Sequence, residues 1–125
     1  MNHQMLTGKI RSREDLPTGD FRREYPRFQP DTFPINLQLV DRIQDLAAKR
    51  GCTAAQLAIG WTLALQRRPN MPTIIPIPGA TTAERVKENA MVVELSDEEM
   101  VGIDEVLARF EVRGERYPPY VPVNT

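Results

Sequence analysis

The chain contains a single cysteine, Cys52, and a single histidine, His3. An internal disulfide needs two cysteines, and one thiol with one imidazole cannot complete a tetrahedral metal site. A disulfide scaffold and a Cys/His metal centre are therefore excluded, and a reducing intracellular compartment fits. An excess of one charge sign is also lacking: 16 Lys and Arg face 17 Asp and Glu, a formal net charge of -1. That balance supplies no electrostatic case for nucleic acid or an anionic membrane. No stretch approaches the roughly 18 uninterrupted apolar residues of a membrane span, and residues Met1 to Lys9 lack the basic flank and apolar run of a secretory signal. We expect a soluble, cytoplasmic protein without membrane or nucleic-acid partners.

What is present is the composition of a globular domain, 41% hydrophobic residues against 26% charged over 125 residues. From Gly8 to Pro34 the sequence is polar and broken by Pro17, Gly19, Pro26, Pro30 and Pro34, which reads as a long loop with charges of both signs. Periodicity begins at Asn36. Leu39, Ile43, Leu46 and Ala47 share one helical face, and Gly51 offers a stop. Thr53-x-x-Gln56 has the form of a capping box and opens a second helix, apolar on nearly all sides and so expected to be buried. The β-branched run Thr73 to Ile77 reads as one strand covered on both faces, fading toward Gly79 because Pro76 and Pro78 lack an N–H. A third helix is expected from about Thr82 to Ala90. A fourth opens at the capping box Ser96-x-x-Glu99, with Met100, Ile103, Leu107 and Phe110 at core spacing. Four helices and one strand without visible neighbours predict an α/β chain cut from something larger.

The junction of that strand with the third helix carries the chemistry. A Pro-Gly end followed by a threonine-rich helix start brings free N–H groups and the positive end of the helix dipole together, which suits an anion. Thr81 and Thr82 can add hydroxyl donors, and Arg85, one turn on, can hold a phosphate through two hydrogen bonds. Glu88 and Asn89 share its face and match the donors and acceptors of an adenine edge. Spacing alone leaves a bland alternative standing: Thr82 only caps the helix, Arg85 and Glu88 form a surface pair, and Asn89 helps end the helix.

The segment Pro76-Ile77-Pro78-Gly79-x-Thr81-x-x-x-Arg85-Val86-x-Glu88-Asn89 resembles the part of aldo-keto reductases that contains the eighth barrel strand and the helix after it. Leu6-Thr7-Gly8-Lys9-Ile10, Leu16-Pro17-x-x-Asp20-Phe21-Arg22, Asn36-Leu37-x-Leu39-Val40, Gln56-Leu57-Ala58-Ile59-x-Trp61 and Gly114-Glu115-Arg116-Tyr117-Pro118 are similar to stretches of that family in the same order. The likeness runs from about Met5 to Pro118. It implies the C-terminal part of a (β/α)8 TIM barrel, with residues 1–35 as loop and 36–125 as the last barrel units and C-terminal helix; a whole barrel needs ~250 residues. It implies NADPH as cofactor, with Arg85 and Thr82 on the 2'-phosphate, Glu88 and Asn89 on the adenine, and Gly79, Ala80 and Thr81 in close backbone contact. Leu6, Thr7 and Gly8 would lie at a loop folding over the pyrophosphate. Ala80 stands where the family often has a hydroxyl residue, and residues 1–5 do not continue the family's Gly-rich approach to that loop.

The same resemblance implies reduction of a small carbonyl substrate by hydride from the nicotinamide, with a tyrosine as general acid assisted by lysine, histidine and aspartate. None of those four has a counterpart here. His3 matches no catalytic position, and Tyr25, Tyr117 and Tyr120 fall outside the catalytic motif, open to substrate contact or to packing. No catalytic residue and no metal ligand is assigned. Trp61 and Cys52 read as packing residues. The chain is expected to be inactive alone, and dependence on a missing N-terminal barrel half is an alternative to a non-catalytic remnant. A helix-turn-helix reading of Leu46 to Ala58 conflicts with the apolar second helix, because a recognition helix exposes polar side chains to base edges.

Overall fold

The computed structural model describes residues 2–122, with side chains from Met5 onward. Four α-helices carry the fold: α1 (Phe33–Arg50), α2 (Ala54–Leu65), α3 (Ala83–Ala90) and α4 (Asp97–Arg109). Ahead of them, 3₁₀ turns at Asn2–Thr7, Arg13–Asp15, Phe21–Glu24 and Pro26–Phe28 fold the segment expected to be loop. Proline and short-range capping explain those turns: Pro26 opens one, and the Asp20 carboxylate accepts the Arg22 N–H at 2.9 Å to start another.

Each long helix begins and ends for a local reason. α1 starts three residues earlier than the periodicity suggests, because Pro34 falls in its first turn, where a missing N–H costs nothing. It ends where Gly51 adopts φ +72°, a left-handed conformation that glycine takes without a Cβ penalty. Both capping boxes form, Thr53 with Gln56 and Ser96 with Glu99. α4 buries Met100 and Ile103, but Leu107 is exposed in its last turn.

Two apolar clusters meet along α1. Leu39, Ile43 and Ala47 pack with Leu57 of α2 and with Met100 and Ile103 of α4. Phe33 and Val40 pack with Met5, Leu16 and Phe28 from the N-terminal turns. Each fully buried side chain of this size contributes about 1.5–3 kcal/mol relative to exposure. α2 and the Val93–Leu95 segment approach closely at Gly60, where a Cβ would lie 2.4 Å from the Val93 carbonyl oxygen. Polar ties close the structure. Arg67 donates to the Leu95 carbonyl at 2.6 Å, Arg50 meets Glu99 at 2.8 Å, and Arg68 pairs with Asp104.

The strand expected at Thr73 to Ile77 does not form, and no strand is present among the described residues. The architecture of the described chain is therefore all-helical, not α/β. Extended backbone becomes a strand only through ladder partners, and among the described residues none pairs with this one; Pro72, Pro76 and Pro78 also lack donors. The Ile74 N–H is met by a side chain, Gln66 Oε1, at 3.4 Å. Nor is the run covered on both faces: Ile75 and Ile77 are 80% and 93% exposed. Among the described residues no helix is long and apolar enough to cross a membrane.

Candidate functional site

The start of α3 is built by Thr82. Its backbone is extended (φ -134°, ψ 154°), and its Oγ1 accepts the Arg85 N–H at 3.2 Å. The next bond along, from Val86 N–H to the Thr82 carbonyl, begins the regular ladder. The N–H groups of Ala83 and Glu84, the first two of the helix, have no acceptor among the described residues, as at any helix start. Gly79, Ala80, Thr81 and Thr82 are exposed in front of them. Glu84 in the first turn suits the helix dipole but opposes an incoming anion.

Arg85, Glu88 and Asn89 are half-buried on α3. Arg85 and Glu88 form no ion pair among the described residues, so the surface pair of the bland alternative is not made. Asn89 does not end the helix either. That position falls to Met91, whose N–H reaches the Lys87 and Glu88 carbonyls. The capping half of the alternative does occur, at Thr82. Gln56 of α2, read from the sequence only as part of a capping box and a family-like stretch, anchors the far end by donating its side-chain N–H to the Glu88 carbonyl at 3.3 Å.

Leu6, Thr7 and Gly8 sit at the end of the first 3₁₀ turn, which packs against α1 and α2. Gly8 has φ +68° and its N–H meets the Met5 carbonyl, so the turn itself calls for glycine here. The Thr7 hydroxyl accepts the Lys9 N–H at 3.4 Å. Leu6 is half-buried and faces a cleft of about 640 Å³. One wall of that cleft is α2, through Ala58, Ile59, Trp61 and Thr62; Pro76, Ile77 and Pro78 form another. The expected site residues thus divide: Leu6 lines the cleft beside the segment leading to Gly79, whereas Arg85, Glu88 and Asn89 stand outside its lining.

Two cleft residues escaped the pattern, Arg27 and Arg116. Arg27 belongs to a run of mixed charges that resembles any solvated loop. Only its proximity in space to the tail distinguishes it, through a hydrogen bond from Nε to the Gly114 carbonyl at 3.0 Å. Burial, and then the charge of Arg116, push the Arg27 guanidinium below its ordinary value, with Glu115 opposing. The tail is held in turn by Asn36, 2% exposed, whose amide donates to the carbonyls of Arg27 (3.1 Å) and Arg113 (2.9 Å) and accepts the Arg113 N–H (2.8 Å).

The tyrosines left open by the sequence make packing and surface contacts. Tyr25 meets Tyr117 edge-on at 5.9 Å, and the Tyr120 hydroxyl donates to Glu24 at 2.6 Å, which pushes its pKa up. Cys52 packs beside the α1/α2/α4 cluster, and burial pushes its thiol up, the opposite of an activated nucleophile. The side chain of His3 lies outside the described residues. Among those residues no group of three His, Cys, Asp or Glu side chains is placed to hold a metal.

Comparison with known proteins adds what the geometry alone does not carry. The model of the aldo/keto reductase family matches residues 1–108. Yakc of Schizosaccharomyces pombe, an aldo-keto reductase whose name specifies NADP(+), is 41% identical over 116 residues, 91% of this chain and 33% of that protein. A Saccharomyces cerevisiae protein named "Putative pyridoxal reductase" is 35% identical over 122 residues, 90% of this chain and 35% of its own. Aldo-keto reductase str7 of Strobilurus tenacellus is 32% identical over 114 residues, 90% of this chain and 32% of its own. The chain thus spans about a third of the length of these curated relatives. No solved structure matches it. With the family match running through all of the first three helices and into the fourth, the chain belongs to the aldo/keto reductase family.

Proposed function

We propose that these residues form part of a reductase domain and supply its grip on NADPH, in a protein that reduces a small carbonyl compound. The observation that carries this reading is the start of α3: Thr82 fixes the first turn through the Arg85 N–H, and Arg85 is engaged in no ion pair there among the described residues.

The donor set suits a phosphorylated adenosine. A free first-turn N–H pair and a guanidinium one turn on are the groups that hold a phosphate. Glu88 and Asn89, on the same face, offer an acceptor and an amide to an adenine edge. A Cβ at Gly79 would meet no atom of the described residues within 4 Å beyond its two chain neighbours, which leaves room at the turn into α3. Thr81 and Ala80 contribute backbone there, and the Leu6 to Gly8 turn lies by the cleft that leads to Pro78. When bound, the nicotinamide supplies hydride. The residues of this chain bind and orient the nucleotide, and none of them is assigned a proton in the reaction.

The test is binding of NADPH and NADH to the chain and to its Arg85→Ala variant, by titration calorimetry. Loss of a charge-assisted pair to the 2'-phosphate should weaken NADPH about tenfold or more and leave NADH nearly unchanged. Equal weakening of both would remove Arg85 from the role. A second reading has its own observation: Ile75 and Ile77 are 80% and 93% exposed, the condition of a surface completed by further protein. In that case nucleotide binding would appear only when the remainder of a reductase is supplied.

A further inference from the structure

We infer that Gln56 is a positioning residue for the nucleotide: from the first turn of α2 it holds the far end of α3, and with it Glu88 and Asn89, against the body of the chain. For the nucleotide this role rests on the NADPH reading. For the placement of α3 it rests on the contacts of Gln56 alone.

α3 needs such a tie because little else holds it. Its eight residues make about two turns, below the ~12–15 residues an isolated helix needs in water. None of them is buried, and none belongs to either apolar cluster. Val86, its one large aliphatic side chain, is 57% exposed. The Thr82 cap lies within the same segment, so it starts the helix but moves with it. Among the described residues α3 takes part in no ion pair, and its one side-chain hydrogen bond to another element comes from Gln56. The acceptor, the Glu88 carbonyl, belongs to the last turn, where carbonyls lack full partners within the helix. It receives the Met91 N–H at 3.3 Å and has a second lone pair for Gln56 Nε2, also at 3.3 Å.

The Gln56 amide is committed at both ends. Its Oε1 accepts the Thr53 N–H at 3.1 Å while Nε2 reaches Glu88, and the residue is only 9% exposed. Turning the amide over would set its NH2 against one donor and its oxygen against one acceptor, and both bonds would be lost. An amide is not what the capping box alone calls for. The box needs an acceptor at this position, and the chain's other box uses a carboxylate: Glu99 Oε2 accepts the Ser96 N–H at 2.8 Å. An ionised glutamate at position 56 would complete the box equally well, yet it has no proton to donate to the Glu88 carbonyl. The amide thus answers to α3, and the box would be content without it.

Glu88 carries the held carbonyl and Asn89 follows it, whereas Arg85 stands nearer the Thr82 cap. In the NADPH reading the first two meet the adenine and Arg85 meets the 2'-phosphate. Adenine is common to NADPH and NADH. Loosening the Gln56 tie should therefore weaken both cofactors alike, a signature opposite to that of Arg85→Ala.

The test compares the full chain with Gln56→Glu, Gln56→Met, Thr53→Ala and Arg85→Ala. Amide hydrogen exchange is followed at Val86 to Met91 and across α2, and NADPH and NADH are titrated by calorimetry. Gln56→Glu keeps the box and should speed exchange in α3 about fivefold, the effect of one hydrogen bond, with α2 unchanged. It should weaken NADPH and NADH by a similar factor. Gln56→Met removes the donor without adding charge and should reproduce both effects in α3 and in binding, which separates them from repulsion by a new carboxylate. Thr53→Ala removes the other half of the box; it should loosen α2 and leave α3 exchange and both affinities as they were. Unchanged α3 exchange in both Gln56 variants would overturn the positioning role, and so would an effect of Thr53→Ala on α3 as large as theirs. Faster α3 exchange with both affinities intact would overturn its bearing on the nucleotide. Equal weakening of NADPH and NADH by Arg85→Ala, or no nucleotide binding by the unaltered chain, would strike the NADPH reading instead, with exchange still deciding whether Gln56 holds α3.

Discussion

The helical body and the segment from Met71 to Ala80 contain similarly apolar residues and meet opposite fates. Leu39, Ile43 and Leu57 are buried, whereas Ile75 and Ile77 of the segment are 80% and 93% exposed. The difference lies in where each backbone finds its hydrogen bonds. A helix satisfies its own N–H and C=O groups and needs only one apolar stripe covered, which α1, α2 and α4 provide for each other. An extended run must borrow partners from other chain segments, and among the described residues none pairs with it.

The comparison can be broken most sharply at Phe28, 1% exposed in the cluster that joins the N-terminal turns to α1. Phe28→Ala should cost about 3–5 kcal/mol in urea unfolding, while Ile77→Ala should stay within about 0.5 kcal/mol. Comparable losses would mean that the 71–80 segment is covered in solution. Gly60→Ala probes the packing of the helical body itself, at the seam of α2 with the 93–95 segment, since its Cβ would meet the Val93 carbonyl at 2.4 Å. Overpacking there should cost about 1–3 kcal/mol and lower the melting temperature; an unchanged melt would show that α2 and the 93–95 segment are free to part.

The smallest effect concerns Asp20, whose carboxyl is held below its ordinary value by hydrogen bonds from the Arg22 side chain and backbone. With the folded value below the unfolded one of about 3.9, its contribution is complete above that value. It is lost as pH falls through the lower folded value. Stability should therefore decline with acidification below about pH 4, and Asp20→Asn should remove part of that slope. An identical slope in the variant would place the acid sensitivity elsewhere.

Local signals were the ones legible in the sequence. Thr53-x-x-Gln56 and Ser96-x-x-Glu99 announce their helices because a capping box is completed within four residues. Leu39, Ile43, Met100 and Ile103 repeat at helical spacing and are buried. Leu107 kept the same spacing and is exposed, because at this end of α4 it is Val106 and Phe110 that pack against the cluster. The strand at Thr73 to Ile77 failed for the converse reason: β-branched composition describes a residue's preference, and pairing depends on other segments. At the candidate site, the Thr82 cap and the placement of Arg85 on α3 could be read from spacing. Arg27 and Arg116 could not, because only the folded tail brings them to one cleft.

Asn36 has a consequence for the order in which the chain is made. Its buried amide spends two of its hydrogen bonds on Arg113, a residue synthesised long after α1 and α2 are complete. Until the tail arrives, that amide must stay hydrated or stand unsatisfied beside an apolar cluster. During synthesis, then, the N-terminal end of α1 gains its last partner only after α2, α3 and α4 have all been made.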